Sequence, residues 1–272
     1  MISLPFEELK ALIVLNRLGR SRSVRTRIRE GARPSEVLNG LPRDGKEVPP
    51  GWDPEKEIES CLKKEIRLLT LFDPAYPRLL KEISDPPLLL YMAGAFDDSD
   101  AAAVAVVGSR NPSFYGLEQT RIFAGALARM GITVVSGLAR GIDGAAHEAA
   151  LGVSSGRTLA VVGCGIDIPY PREHRKLFEA IRERGAVVSE YPLGTPPLAC
   201  NFPERNRIIA GLSLGVLVVE AHIRSGSLIT AHEAADEGRE VFALPGPVTQ
   251  LTSKGTHRLI KDGAALVEDP ME

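Results

Sequence analysis

Short runs of β-branched and small apolar residues recur along the chain from residue 103 onward. They read AVAVVG (103–108), TVVS (133–136), TLAVVG (158–163), AVVS (186–189), GVLVVE (215–220) and EVFALPG (240–246). Each is short enough for a strand and too uniformly apolar to leave one face in water, so each must be buried on both faces. Between them GLEQTRIFAGALARMG, GIDGAAHEAAL, REHRKLFEAIRERG, PERNRIIAGL and SLITAHEAADEG repeat their apolar residues at helical spacing. Strands of this kind alternating with helices form a parallel sheet with helices on both sides.

The pattern therefore predicts an α/β fold: an extended Rossmann-like, doubly wound, mostly parallel sheet over residues 71–272. PLLLYMAG (87–94) reads as a further strand. Residues 1–70 have another texture. Phe6, Leu9, Leu12, Ile13 and Leu15 keep helical spacing up to Gly19, SVRTRIREG and PSEVLNGL read as brief helices, and DPEKEIESCLKKEIRLLTL reads as a longer one. This predicts a small helical domain, sterile-alpha-motif-like or helix-hairpin-helix-like, with a Pro- and Gly-dense loop at PRDGKEVPPGWDP. The basic run RLGRSRSVRTRIREGAR (17–33) is either a solvated face or a patch touching DNA backbone.

With 44% hydrophobic residues in 272, the chain can bury a sizeable core. A formal net charge of −2 gives no general attraction to nucleic acid, so any anion site has to be a local patch. Cys61, Cys164 and Cys200 are odd in number and far apart, which suits a reducing cytoplasm rather than a disulfide framework. His147, His174, His222, His232 and His257 show no metal-ligand spacing, so each reads as a core or surface histidine. The opening MISLPFEELK lacks a basic segment followed by an apolar one, and no run of 18 apolar residues occurs. A cytoplasmic protein without metal, cofactor or membrane anchor is expected.

In a doubly wound sheet the ligand site lies beyond the carboxyl ends of the strands. Those ends carry Gly108, Ser109 and Arg110; SGLARGID (136–143) with Arg140; GCGIDIPYPREHRK (163–176) with Arg172, Arg175 and Lys176; and RSGSLIT (224–230), where Ser225, Gly226 and Ser227 precede a helix as an anion nest. FPERNRIIAG (202–211) places Arg205, Asn206 and Arg207 close behind Pro203, which fits the first position of a helix. Cations there oppose the helix dipole, so a carboxylate or a phosphate has to sit against them. GSRNPSFYG has neither the dinucleotide fingerprint nor a G-K-[ST] step, which disfavours nicotinamide cofactors and ATP hydrolysis. Arg110, Arg140, Arg172, Arg175, Lys176, Arg205, Arg207 and Arg224 are all expected on one rim, enough charge for a ligand with several phosphates. Phe202, next to arginines, can stack an unpaired base or serve as a core aromatic; Tyr170 reads rather as a core or hinge ring.

GSRNPSFYG, SGLARGIDGAAHEAAL, GCGIDIPYP, SEYPLG, FPERNRIIAGLS, VVEAHIRSGSLITA, GREVFALPGPV and THRLIKDGA occur in this order. Over residues 66–268 the chain closely resembles the DNA-processing protein A (DprA/Smf) family. The resemblance implies single-stranded DNA binding and protection, RecA recombinase loading during natural transformation, and a homodimer, with no catalysis. It places Arg110, Phe202 and Arg205 in the DNA pocket. Many members carry a lysine three residues before the Phe, where this chain has Ala199. Members often add a winged helix after the sheet, which is not expected in a chain ending at Glu272. The dimer contact is expected at Leu259 and Ile260 of THRLIKDGA, one packing inward and the other outward. The rival reading is a nucleoside-monophosphate phosphoribohydrolase of the "lonely guy" type, with Glu233 as its carboxylate. Such enzymes show PGGxGTxxE where this chain reads SGSLITAHE.

Overall fold

The computed structural model describes residues 4–19, 22–41 and 48–272. Residues 1–3, Arg20 and Ser21 of the basic run, and the 42–47 part of the Pro- and Gly-dense loop lie outside the described residues. The helices are α1 (Phe6–Leu18), α2 (Arg22–Arg29), α3 (Pro34–Asn39), α4 (Pro54–Lys63), α5 (Arg78–Glu82), α6 (Phe114–Arg129), α7 (Ile142–Leu151), α8 (Arg175–Arg184), α9 (Asn201–Gly211), α10 (Gly226–Asp236) and α11 (Lys254–Lys261). The strands are β1 (Arg67–Thr70), β2 (Leu89–Gly94), β3 (Ala103–Val107), β4 (Thr133–Ser136), β5 (Thr158–Val161), β6 (Ala186–Ser189), β7 (Gly215–Val218), β8 (Glu240–Ala243) and β9 (Ala265–Leu266).

Among the described residues these strands form one sheet in the order β1-β2-β6-β5-β4-β3-β7-β8-β9. From β6 to β9 every neighbouring pair is parallel, and β1 and β2 add an antiparallel edge. The chain winds outward from β3 through β4, β5 and β6, then returns to lay β7 on the other side of β3. The strand order thus reverses between β3 and β7, and the loops that follow these two strands flank a crevice there.

Alternation within β3 shows why both faces need helices. Val106 packs with Phe123, Ala124 and Leu127 of α6 and Ile142 and Ala146 of α7. Ala105 and Val107 belong to the opposite core, with Ile208 and Ile209 of α9 and Leu228 and Ala231 of α10. That second core runs on without a break into the N-terminal helices through Leu9, Leu12, Ile13, Val24, Ile28 and Val37. Each such fully buried aliphatic side chain contributes about 1.5–3 kcal/mol.

Three arginines of the basic run are spent on this packing. Arg17 donates to the Leu193 carbonyl at 3.2 Å and Arg29 to that of Ser84 at 2.6 Å, while Arg25 forks onto Asp85, with Nη2–Oδ2 at 2.6 Å. Arg17 and Arg25 are thus partly buried in that packing, while Arg22, Arg27, Arg29 and Arg33 of the run stay exposed. Buried Glu57 adds a second clamp, accepting from Tyr91 Oη at 2.6 Å and Trp52 Nε1 at 2.7 Å.

The helix expected across residues 53–71 stops at Lys63. Glu65 turns the chain in the left-handed region at φ 56°, and Arg67–Thr70 then pairs antiparallel with β2. The apolar RLLT segment gains a strand partner, which outweighs the roughly 1–2 kcal/mol cost of that turn. The sheet accordingly begins inside the stretch assigned from sequence to the helical part. In α11, Leu259 is buried and Ile260 half-buried against the same core. A glutamate at Leu259 would therefore damage the fold instead of reporting on an interface.

His147 of α7 is fully buried, with Nδ1 2.7 Å from Thr158 Oγ1. The Thr158 hydroxyl donates to the Val134 carbonyl, so it accepts from Nδ1–H, and Nε2 is left without a partner among the described residues. Burial, and then the fields of His174 and Arg205, hold the imidazole pKa down to about 3. The unfolded chain takes up this proton below about pH 6.5 while the folded protein refuses it, so stability is lost as the pH falls from 6.5 toward 3. Between about pH 7.5 and pH 5 the parent protein is expected to lose about 2 kcal/mol more than His147→Gln in denaturant titrations. Equal losses would assign the acid sensitivity elsewhere.

Candidate functional site

The crevice between β3 and β7 opens into a cavity of about 570 Å³. Its walls come from the segments that follow β3, β4, β5, β6 and β7. Gly108, Ser109 and Arg110 follow β3, Ala139 and Asp143 follow β4, and Tyr170 follows β5. The segment after β6 supplies Ala199, Phe202, Arg205 and Asn206, and the one after β7 supplies His222, Arg224, Ser225, Gly226 and Ser227.

Arg110 is exposed and makes no hydrogen bond or ion pair among the described residues. Its guanidinium lies over the Phe202 ring, 5.2 Å from the centroid. The start of α10 lines the same cavity. Ser225 caps it, accepting weakly from Ser227 N at 3.4 Å, and the space around Gly226 is open. First-turn N–H groups of a helix carry partial positive charge and lack intrahelical acceptors, so this wall and Arg110 together favour an anion. Asn206 ties α9 to this helix start by donating to the Gly226 carbonyl at 3.2 Å.

Arg205 differs from the expectation. Helix α9 starts at Asn201, two residues ahead of Pro203, and carries Arg205 into the cavity lining with only 3% exposure. Its Nη1 donates to the Gly137 carbonyl at 2.9 Å and also to that of Val161. Burial lowers its pKa, with the Asp143 carboxylate opposing, and burial raises that of Asp143, with Arg205 opposing. The two groups converge on Gly137: a side chain there would begin 2.7 Å from both Arg205 Nη2 and Asp143 Oδ2, which only glycine avoids. Arg205 is thus a buried brace in the lining of the site, with Nη1 used by the protein and Nε without a partner among the described residues. Arg207 is likewise internal, forking onto Glu190 at 2.8 Å to each oxygen and reaching Asp85 at 3.3 Å. For Arg207 the carboxylate alternative is the one realised.

The rest of the expected basic rim thins out. Arg140 lines a small adjoining cleft of about 40 Å³ and is paired with Glu173. Arg175 faces a separate hollow with Lys64, Asp167 and Arg182, and Lys176 is exposed on α8 outside the cavity. Both are set apart because α8 begins only after the loop has turned away past Tyr170. Arg110 and Arg224 remain as exposed cations on the cavity wall. The lining residues outside the sequence reading of the site include His222, taken as a generic histidine although it sits in the loop after β7, and Tyr170, taken as a core or hinge ring but 40% exposed. Glu233 is not on this wall; it is half-buried farther along α10, and the carboxylate that lines the cavity is Asp143.

The family model described as DNA recombination-mediator protein A matches residues 67–272. Protein Smf of Escherichia coli (strain K12) is 50% identical over 224 residues, which is 80% of this chain and 60% of that protein. The chain therefore spans less than two thirds of that relative's length. The X-ray structure of DNA processing protein A (DprA) from Streptococcus pneumoniae is similar with a TM-score of 0.78 and 36% identity, over 97% of this chain and 94% of that one. DNA processing protein A from Helicobacter pylori, described for its single-stranded DNA binding mode, matches with a TM-score of 0.67 and 31% identity, over 75% and 93% of the two chains.

Proposed function

The chain belongs to the DNA recombination-mediator protein A family, and from that premise we propose that it binds single-stranded DNA in the crevice between β3 and β7, without cleaving it. The observation that carries this reading is Arg110, an exposed cation with no hydrogen bond or ion pair among the described residues, held over an aromatic ring and lining the same cavity as a helix N-terminus. An anion-binding wall, an aromatic beside it and a backbone-lined floor suit a phosphodiester strand whose bases are unpaired. The relatives support a role in processing incoming DNA, and we extend the proposal to protection of that strand and loading of RecA recombinase in natural transformation. The working unit would be a cytoplasmic homodimer, with half-buried Ile260 and not Leu259 at the contact. The helical segment before the sheet would serve as a packing domain, since its apolar residues continue the core of the sheet.

Labelled oligo-dT and a blunt duplex of equal length test the central claim by fluorescence anisotropy across a salt series. Oligo-dT is expected to bind at least about tenfold more tightly, because stacking needs unpaired bases, and its affinity should fall linearly with log salt. Equal affinity for the duplex, or release of free base from nucleoside monophosphates, would refute it.

A further inference from the structure

Resting on the single-strand reading, we infer that the ring on which an unpaired base stacks is Tyr170, and that Phe202 serves as its support. The Phe202 ring is already engaged. The guanidiniums of Arg110 and Arg205 lie over it at 5.2 and 5.9 Å from the centroid, and its Cδ1 sits 2.9 Å from the point where a side chain on Gly163 would begin. A base stacked on the face that Arg110 covers has to displace that guanidinium, the cation best placed to receive the phosphate. Tyr170 stands next to it, ring centroids 5.6 Å apart and planes inclined by 40°, and is 40% exposed. Its side chain makes no hydrogen bond among the described residues, and it lines both the main cavity and the small cleft beside it.

The backbone holding Tyr170 is fixed on both sides. Gly165 N donates to the Thr195 carbonyl at 2.8 Å and Ile168 N to that of Gly165 at 2.9 Å. After Tyr170, Pro171 is buried, its carbonyl accepts from His174 N at 3.0 Å, and the His174 ring is held to the Leu138 carbonyl at 3.0 Å. An aromatic face presented on an anchored loop loses little conformational entropy when a base covers it. Tyr170 thereby supplies the preference for unpaired over paired bases, and Arg110 the attraction for the backbone.

Two oligomers separate these roles: oligo-dT, and an oligomer of abasic deoxyribose phosphates of the same length. The parent protein is expected to prefer oligo-dT by about tenfold, the scale of one base stacked on an aromatic ring. Tyr170→Ala should remove that preference while leaving abasic binding and melting temperature unchanged, and Tyr170→Phe, which keeps the ring, should match the parent. A 2-aminopurine placed in the strand should be quenched by the parent and Tyr170→Phe proteins and regain emission in Tyr170→Ala. The inference is overturned if Tyr170→Ala binds oligo-dT like the parent, if it loses equally on both oligomers, or if Phe202→Leu alone erases the preference with Tyr170→Ala unaffected. A parent protein that binds neither oligomer would overturn the single-strand reading itself.

Discussion

Arg205→Ala is expected to lower the stability of the folded protein by about 2–5 kcal/mol, the cost of leaving two buried acceptors unsatisfied. The guanidinium satisfies the buried carbonyls of Gly137 and Val161, so its loss leaves two acceptors bare and weakens the positive field that favours the Asp143 carboxylate. For a chain of this size the melting temperature should fall by on the order of 10 °C. Arg205→Lys retains the charge but cannot spread a planar fork beneath the loops, and should recover only part of the loss. A melting temperature within about a degree of the parent for Arg205→Ala would show that the carbonyls and Asp143 find other partners. Any loss of DNA affinity in this variant has to be read after its stability, because Phe202 lies over the same guanidinium.

This expectation reverses the one that the FPERNRIIAG segment invites, and the reversal marks what a sequence of this kind conveys. Fold class was legible because strands buried on both faces must be nearly continuous runs of small and β-branched residues, and helices that cover them must repeat at 3.6. Runs such as AVAVV and GVLV leave no other role open. The edge was less legible: RLLT continues the helical spacing of the residues before it, and only the left-handed turn at Glu65 and the partner strand at Leu89–Gly94 decide for a strand. In the site, the glycine- and serine-rich loops announced where backbone approaches a ligand, and Gly108 to Arg110 and Ser225 to Ser227 do meet on one cavity. The fates of the arginines were not legible. A guanidinium is satisfied equally well by a carbonyl, a carboxylate or a phosphate, and which one it meets depends on residues such as Val161 and Glu190 that are distant in sequence. Arg205 found carbonyls, Arg207 found Glu190 and Asp85, Arg140 found Glu173, and Arg110 found none of these.

Arg110→Ala should accordingly show the complementary pattern: a melting temperature close to the parent's and a marked loss of single-strand affinity. No partner among the described residues is orphaned by the change, since the side chain is exposed and its contact is with the Phe202 ring. If Arg110 receives a phosphate, oligo-dT binding should weaken by roughly 1.5–3 kcal/mol, the range for hydrogen bonds to charged groups. The slope of log affinity against log salt should become shallower by about 0.7, the value for one neutralised phosphate of a single strand. Arg110→Lys keeps the point charge and should preserve the slope while losing part of the affinity, because an ammonium has no planar fork to lay over Phe202 and hold in register. The abasic oligomer sharpens the assignment: Arg110→Ala should weaken its binding as much as that of oligo-dT, whereas a loss confined to oligo-dT would mean that Arg110 contacts bases. Unchanged affinity and slope in Arg110→Ala would move the phosphate away from the β3 loop, toward Arg224 and the start of α10 in the same cavity.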